Sequence, residues 1–567
     1  MKKSFAGKNI VLGLLPYWTP AIPPLGISCL KSHLKKYGFD VLTFDANMDA
    51  SFRKVYDDYF SVVKKNIPEF NRGNFFNQGM DAMRNHMMAH INHTNERKYI
   101  DLVKIIFAKN FYTDLSDETV LTLNRLLDRF YETLKNYISD LVNTVRPAVL
   151  GLSAFSGSFP ASVFAFKLVK EIHPEITTVM GGGVFADQLA QGSPNFDFFL
   201  HYAPYIDKLI IGEGENIFLQ FLLGELDASQ RVYSKQDVAN HTLNISEAGI
   251  PDFSDFDLAN YPQLGSYTSR SCPFQCSFCA ETVHWGNYRK KSPAQIVHEL
   301  KVMHQMYGRQ VFMMGDSLLN PVIVGLAQES ANEDVCLYWD GYLRADPPVC
   351  KPENALNWRR GGFYRARLGV ESGSQYVLDL MNKKISPDQI RAAVRSLAEA
   401  GIKTTTYWIC GHPGETEEDF QATLNLIEEL QDYLWEAECN PFNYYLKGQV
   451  DSDKWMAQYK RVTLYPEDAT ETLVSQTWSM KDCHPLHEEI YHRVNRFVEH
   501  CKKLGIPNPY TLEEIYYADE RWKSLHKNAV PALVELNDGS VYIDDRKNIK
   551  KLNTVQVPKS DVEDFAF

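Results

Sequence analysis

The chain alternates short, almost continuous apolar runs with longer stretches in which apolar residues recur every three or four positions. Residues 8–15 (KNIVLGLL) are such a run, and 25–37 (LGISCLKSHLKKY) show helical spacing closed by Gly38. A continuous run bounded by turn residues reads as a strand buried on both faces, and a periodic stretch as a helix with one apolar stripe. A second strand is predicted in FDVLTFDAN (39–47), and the alternation resumes only at RPAVLGLSAF (146–155). A helix in SVFAFKLVKEI (162–172) and strands in ITTVMGGG (176–183) and IDKLIIGEGE (206–215) complete the set. This order predicts a doubly wound parallel sheet, which takes its ligands at the carboxyl ends of its strands.

Between these halves, about residues 48–145, the period changes to helical throughout. SFRKVYDDYFSVVKKNI and TVLTLNRLLDRFYETLKNYISDLVNTV carry it most clearly, so a helical insertion is expected. His86 and His90 share a helix face there with His93 nearby, but no carboxylate or cysteine completes a metal set, and a polar helix face is the reading. From Tyr267 to Tyr445 a strand-then-helix unit repeats about six times, with strands in QVFMMGD, VCLYWDGY, RARLGVES, KTTTYWIC and NPFNYYL. Ser292-Pro293 and Ser386-Pro387 read as N-caps followed by proline at the first helical position, and Thr416 with Asp419 as an acidic capping box. A partial (β/α)6 barrel of the TIM type follows.

Length and charge narrow the picture. The 567 residues exceed what one core can bury, and boundaries are expected at 1–245, 246–450 and 451–567. The last segment is mixed and aromatic-rich (WMAQYK, TLYPED, EIYYADERW), which reads as the core of a C-terminal domain. A formal net charge of −12 argues against nucleic acid as partner. The apolar run after the first two lysines breaks at Pro16 without a cleavage site, and no stretch reaches the ~20 apolar residues of a membrane span. A cytoplasmic protein with reduced thiols is expected, so Cys410, Cys439, Cys483 and Cys501 read as buried small residues.

The clearest chemistry lies in YTSRSCPFQCSFCAE (267–281). Cys272, Cys276 and Cys279 stand at C-x3-C-x2-C just after the first strand of the repeat. Soft thiolates converging from a tight loop suit an iron–sulfur cluster, and three ligands on four irons leave one iron open. Zinc suits the spacing too, with His284 as a fourth ligand. Spacing alone leaves both open.

The motif, with Phe278 before its last cysteine, resembles the signature of radical S-adenosylmethionine (SAM) enzymes, and motifs further on agree in order. FMMGDS (312–317), GVESGS (369–374) and GHPGET (411–416) resemble the second-, fourth- and fifth-strand motifs of that superfamily. The resemblance implies a [4Fe-4S] cluster on Cys272, Cys276 and Cys279 and sets zinc aside. It implies SAM contacts from Phe278, Asp316, Glu371, Ser372 and Gly411, and a radical that takes hydrogen from an unreactive C–H bond. A flavodoxin or ferredoxin would supply the electron.

The first domain resembles the Rossmann-like cobalamin-binding domain fused in front of many such enzymes, through PPLG (23–26), the Ser153 and glycine-rich strand ends, and IIGEGE (210–215). The resemblance implies cobalamin on a floor of Ser153, Gly182 and Gly183. The segment PYWTPAIPPLG carries no histidine where mutase-type domains have D-x-H-x-x-G, so Tyr17 or Trp18 is expected near the lower cobalt face. The function implied is cobalamin-dependent methylation of an unactivated carbon in a natural product or peptide. The alternative is cyclisation, rearrangement, epimerisation or cross-linking by the same build, and a zinc-containing scaffold is the reading from another class.

Overall fold

A computed structural model describes residues 5–19, 21–187, 189–238, 242–449, 460–537 and 542–550. The chain divides into two compact units. The first comprises Met1–Tyr261, Val283–Trp285 and Asn443–Lys481; the second comprises Pro262–Thr282, Gly286–Phe442 and Asp482–Phe567. The aromatic-rich stretch after 450 is thus shared between them, while most of WMAQYK lies outside the described residues.

In the first unit, six parallel strands run β1 (Ile10–Leu14), β2 (Val41–Asp45), β3 (Val149–Ser153), β4 (Thr177–Gly181), β5 (Lys208–Ile210) and β6 (Val232–Tyr233), in the spatial order 2-1-3-4-5-6. The order reverses at β1, which makes the gap between β1 and β3 the crevice where such sheets bind ligands. The helical insertion is Ala50–Asn66, Phe75–Asn92, Glu96–Phe111 and Asp117–Val145 among the described residues. It covers one sheet face through a core that joins Val11, Leu150 and Met180 to Phe52, Val103 and Phe130, and also takes in Tyr465, Leu473 and Val474.

His86 departs from expectation. It is fully buried rather than on a polar face, with Nδ1 at 2.8 Å from the Tyr59 hydroxyl and Nε2 at 2.9 Å from both Tyr99 Oη and Asn124 Oδ1. His90 extends the network, at 2.9 Å from Tyr99 and 3.0 Å from Asp128. Burial, then the neighbouring His90, pushes the His86 pKa down to about 3, so the ring is neutral.

In the second unit, β7 (Leu264–Ser266) is followed by a short antiparallel pair, β8 (Ser269–Arg270) with β9 (Arg289–Lys290). Then come β10 (Val311–Met314), β11 (Tyr338–Leu343), β12 (Phe363–Glu371), β13 (Lys403–Cys410) and β14 (Glu436–Pro441). The six long strands are parallel and lie side by side in chain order from β7 to β14, the partial barrel that the repeats predict. The last strand sits earlier than NPFNYYL: Pro441, without an N–H, ends the pairing, and the Phe442 amide closes onto Cys410 O at 2.8 Å. The caps at Ser292, Ser386 and Thr416 form as read, the latter two as complete capping boxes. Among the described residues, no helix is long and apolar enough to cross a membrane.

Candidate functional site

The cysteine loop leaves β7 and is stitched to β10 by one carboxylate. Asp316, 2% exposed, accepts the Thr268 amide at 2.8 Å and the Thr268 and Ser269 hydroxyls at 3.1 and 2.9 Å, and also takes the Ser269 amide. Burial raises its pKa to about 6. Asp316, a SAM contact by sequence, therefore spends its oxygens on holding the loop.

Within the loop Cys276 is buried and Cys272 and Cys279 half-buried, and all three are free thiols. Cys279 N–H bonds Cys276 O at 3.1 Å. Burial pushes the Cys279 thiol up to about 12, with Cys276 and Cys272 close enough to add to the rise. Cys272 is also raised by burial, while Lys383 and Arg344 pull it back down. Among the described residues no three His, Cys, Asp or Glu side chains are already closed to metal-ligand distance. What the loop does supply is three neighbouring thiols beside two cations, a donor set suited to a cluster that needs thiolates. His284 packs its ring against Trp285 at 4.9 Å.

The cations were not legible in advance. Lys383 gives Nζ to Glu371 Oε1 at 2.6 Å and lies 5.4 Å from the Phe278 ring centroid. Burial draws the Lys383 ammonium down, but Glu371 and Cys276 raise it above its ordinary value, so it stays charged. Arg344 stacks 3.9 Å over Phe274, bonds Asp346 at 2.7 Å and donates to Lys383 O. Glu371 stands in a bulge of β12 with φ +63°, which turns its carboxylate toward Lys383. Ser372 is fully buried, 3.3 Å from Thr423 Oγ1, and accepts the Ser374 amide. Gly411, at φ +88°, gives its amide to Glu415 Oε2 at 2.7 Å. The next residue, His412, places Nε2 3.4 Å from Ser277 Oγ inside the cysteine loop.

In the first unit the strand ends divide the expected cobalamin residues. Tyr17 turns inward: its hydroxyl donates to Phe52 O at 3.0 Å and its ring meets Tyr56 and Phe130 at 5.2 Å. Trp18 faces out, 42% exposed, stacked 4.2 Å from Phe155, with its amide on Asn47 Oδ1 at 2.7 Å. A Cβ on Gly182 would fall 2.5 Å from Ala154 O and 3.0 Å from Ser153 Oγ, and one on Gly183 would fall 2.9 Å from the Phe155 ring. Gly212, just after β5, has open space where a side chain would stand.

Residues 266–427 match the radical SAM superfamily. The chain carries a radical SAM domain. The match begins at the end of β7 and takes in the cysteine loop and strands β10 to β13, so the cysteines, Asp316, Arg344, Glu371, Lys383 and Gly411 all fall inside it. An anaerobic magnesium-protoporphyrin IX monomethyl ester cyclase from Rubrivivax gelatinosus is 24% identical over 321 residues, 52% of this chain and 56% of the cyclase. An uncharacterized methyltransferase from Pyrococcus horikoshii is 25% identical over 54% of this chain and 70% of its own length. The chain thus spans only about half the length of some curated relatives it matches. The radical SAM methyltransferase TsrM from Kitasatospora setae, solved with cobalamin and a [4Fe-4S] cluster, superposes with a TM-score of 0.52 at 15% identity, covering 94% of this chain and 95% of that one. That likeness extends the shared fold beyond the radical SAM domain to both units.

Proposed function

We propose that this chain is a cobalamin-dependent radical SAM methyltransferase acting on an unactivated carbon of a small molecule or peptide. The observation that carries it is the loop of three free thiols flanked by the buried cations Lys383 and Arg344. A doubly wound sheet of the kind that presents ligands at its strand ends precedes it in the chain. In this reading Cys272, Cys276 and Cys279 hold the cluster, and Glu371 and Gly411 line the SAM seat. Trp18 and the open strand end at Gly212 face cobalamin, and a flavodoxin or ferredoxin delivers the electron. When bound, these groups supply reductive cleavage of the SAM sulfonium and a transferable methyl group. The residues of the chain hold, orient and shield them.

The test is anaerobic reconstitution of the full chain from cells supplied with cobalamin. Iron and sulfide at four each per chain, one cobalamin, and labelled methyl transfer from SAM are expected. Replacing the three cysteines by alanine should abolish iron loading and SAM cleavage together. Trp18→Ala should lower cobalamin content while iron is retained. A wild-type chain that cleaves SAM but never takes up cobalamin would defeat the methyltransferase reading. A second reading, ring closure, is favoured by the cyclase names among the relatives, and an unmethylated cyclised product would select it.

A further inference from the structure

The GHPGET turn is seated from behind by a helix, His487–Lys503, that lies beyond the residues matched by the radical SAM superfamily. Three contacts converge on the turn. Ile490 fills the space where any Cβ at position 411 would fall. His484 O accepts the Gly414 amide at 2.8 Å. Arg493, buried, gives Nη1 to Glu415 Oε2 at 2.7 Å and to Glu415 O at 3.1 Å.

Glu415 is buried as well, and the oxygen that meets Arg493 also accepts the Gly411 amide at 2.7 Å. One carboxylate oxygen therefore ties the first amide of the turn to a guanidinium 78 residues further along the chain. His412 follows directly and reaches Ser277 Oγ, between Cys276 and Cys279. A glycine at positive φ has little stiffness of its own, so the position of this backbone depends on what grips it. A charge-assisted bond inside a dry interior gives a stiff, directional grip.

We propose that Arg493 is a positioning residue for the cofactor turn: acting through Glu415, it sets the Gly411–His412 backbone and, through Ser277, the cysteine loop. This rests on the radical SAM reading above. Misplacement of such a turn by a fraction of an ångström weakens cofactor binding without removing any ligand. Both contacts to Glu415 leave one nitrogen, Nη1. Lysine keeps the charge and can donate from its ammonium, but it lacks the planar guanidinium that lies 5.7 Å over the Phe420 ring and fixes that nitrogen.

The experiment uses the anaerobically reconstituted full chain and reads iron and sulfide content, SAM affinity by equilibrium dialysis, and the electron paramagnetic resonance of the reduced cluster with and without SAM. A wild type that loads no iron or binds no SAM refutes the radical SAM reading itself. Given a loaded wild type, Arg493→Met should keep its iron, lose about tenfold in SAM affinity and alter the SAM-induced change in the spectrum. Arg493→Lys should fall between. Arg496→Met, which removes the exposed pair with Glu417 and a stack over Phe420 but touches neither Glu415 nor the turn, should match wild type in SAM affinity and spectrum. If Arg493→Met does not load iron, the double variant Glu415→Gln/Arg493→Met takes its place, because removing both charges relieves the stranded carboxylate. It should load iron and still bind SAM weakly. An iron-loaded Arg493→Met or double variant with wild-type affinity and spectrum would overturn the proposal.

Discussion

At the scale of single residues, Gly182 shows how one position can answer to two different demands. Its φ of +107° with ψ near 180° is a conformation that essentially only glycine adopts, and the Ala154 backbone leaves no room for a Cβ. Sequence suggests a floor for cobalamin, whereas the geometry already requires glycine without any ligand. The two demands separate in one measurement. Gly182→Ala should destabilise the cobalamin-free chain by about 1–3 kcal/mol, read as a lower urea midpoint. A variant with unchanged stability that nonetheless fails to take up cobalamin would return Gly182 to the ligand. Asp316 teaches the same lesson: the sequence marks a carboxylate at a strand end but cannot say whether it faces a cofactor or its own loop.

At the scale of elements, legibility follows the cleanness of the period. The caps at Ser292, Ser386 and Thr416 and the parallel strands are readable because local chemistry dictates them. The helix Phe75–Asn92 is harder, since its buried side includes Gln78, Arg84, Asn85 and His86 among the methionines. Polar residues go inside where partners satisfy them, and those partners (Tyr59, Tyr99 and Asn124 for His86) come from other helices. Lys383 carries no signal in the sequence for a related reason, because its meaning depends on the bulge that turns Glu371 toward it. His86 makes a pH-dependent prediction. Its pKa is about 3 when folded and about 6.5 in an unfolded chain. The unfolded state therefore binds the extra proton between those values. Its contribution is fully present above about pH 6.5 and falls, as pH drops, by up to about 1.4 kcal/mol per unit. Asp187 and Asp316, raised to about 7 and about 6, push the opposite way, so the comparison must isolate His86. Between about pH 7.5 and 5.5, wild type should lose more stability than His86→Gln in urea titrations. Equal slopes would mean the ring is not held neutral.

At the scale of the molecule, the late part of the chain completes earlier architecture. Trp522 is fully buried, packs with Ala398 and Trp435, and donates its indole N–H to Gly401 O at 3.2 Å. The Gly401 turn in turn has Asn528 O so close that no side chain fits there. The aromatic-rich end reads as a domain core from composition alone, and composition cannot say whose core it is. Trp522→Ala should cost about 3–5 kcal/mol and lower the iron that the second unit retains on mild heating. A variant with wild-type thermal midpoint and iron retention would show that the barrel is complete without this tail.

The division of the chain also has a temporal side. The first unit draws Tyr465, Leu473 and Val474 into its core, and the second draws in residues after 481. A ribosome delivering the chain from the N-terminus therefore emits all six strands of the first sheet long before the segment that seals their insertion. It also completes the second sheet before the helix that grips the GHPGET turn. Contacts this far apart in sequence form late and slowly. During synthesis both half-built cores expose apolar surface, and the cysteine loop emerges before its surroundings are complete. That order of delivery leads us to expect cluster loading to wait for the helix His487–Lys503, so chains stalled before it should load less iron than chains stalled after it.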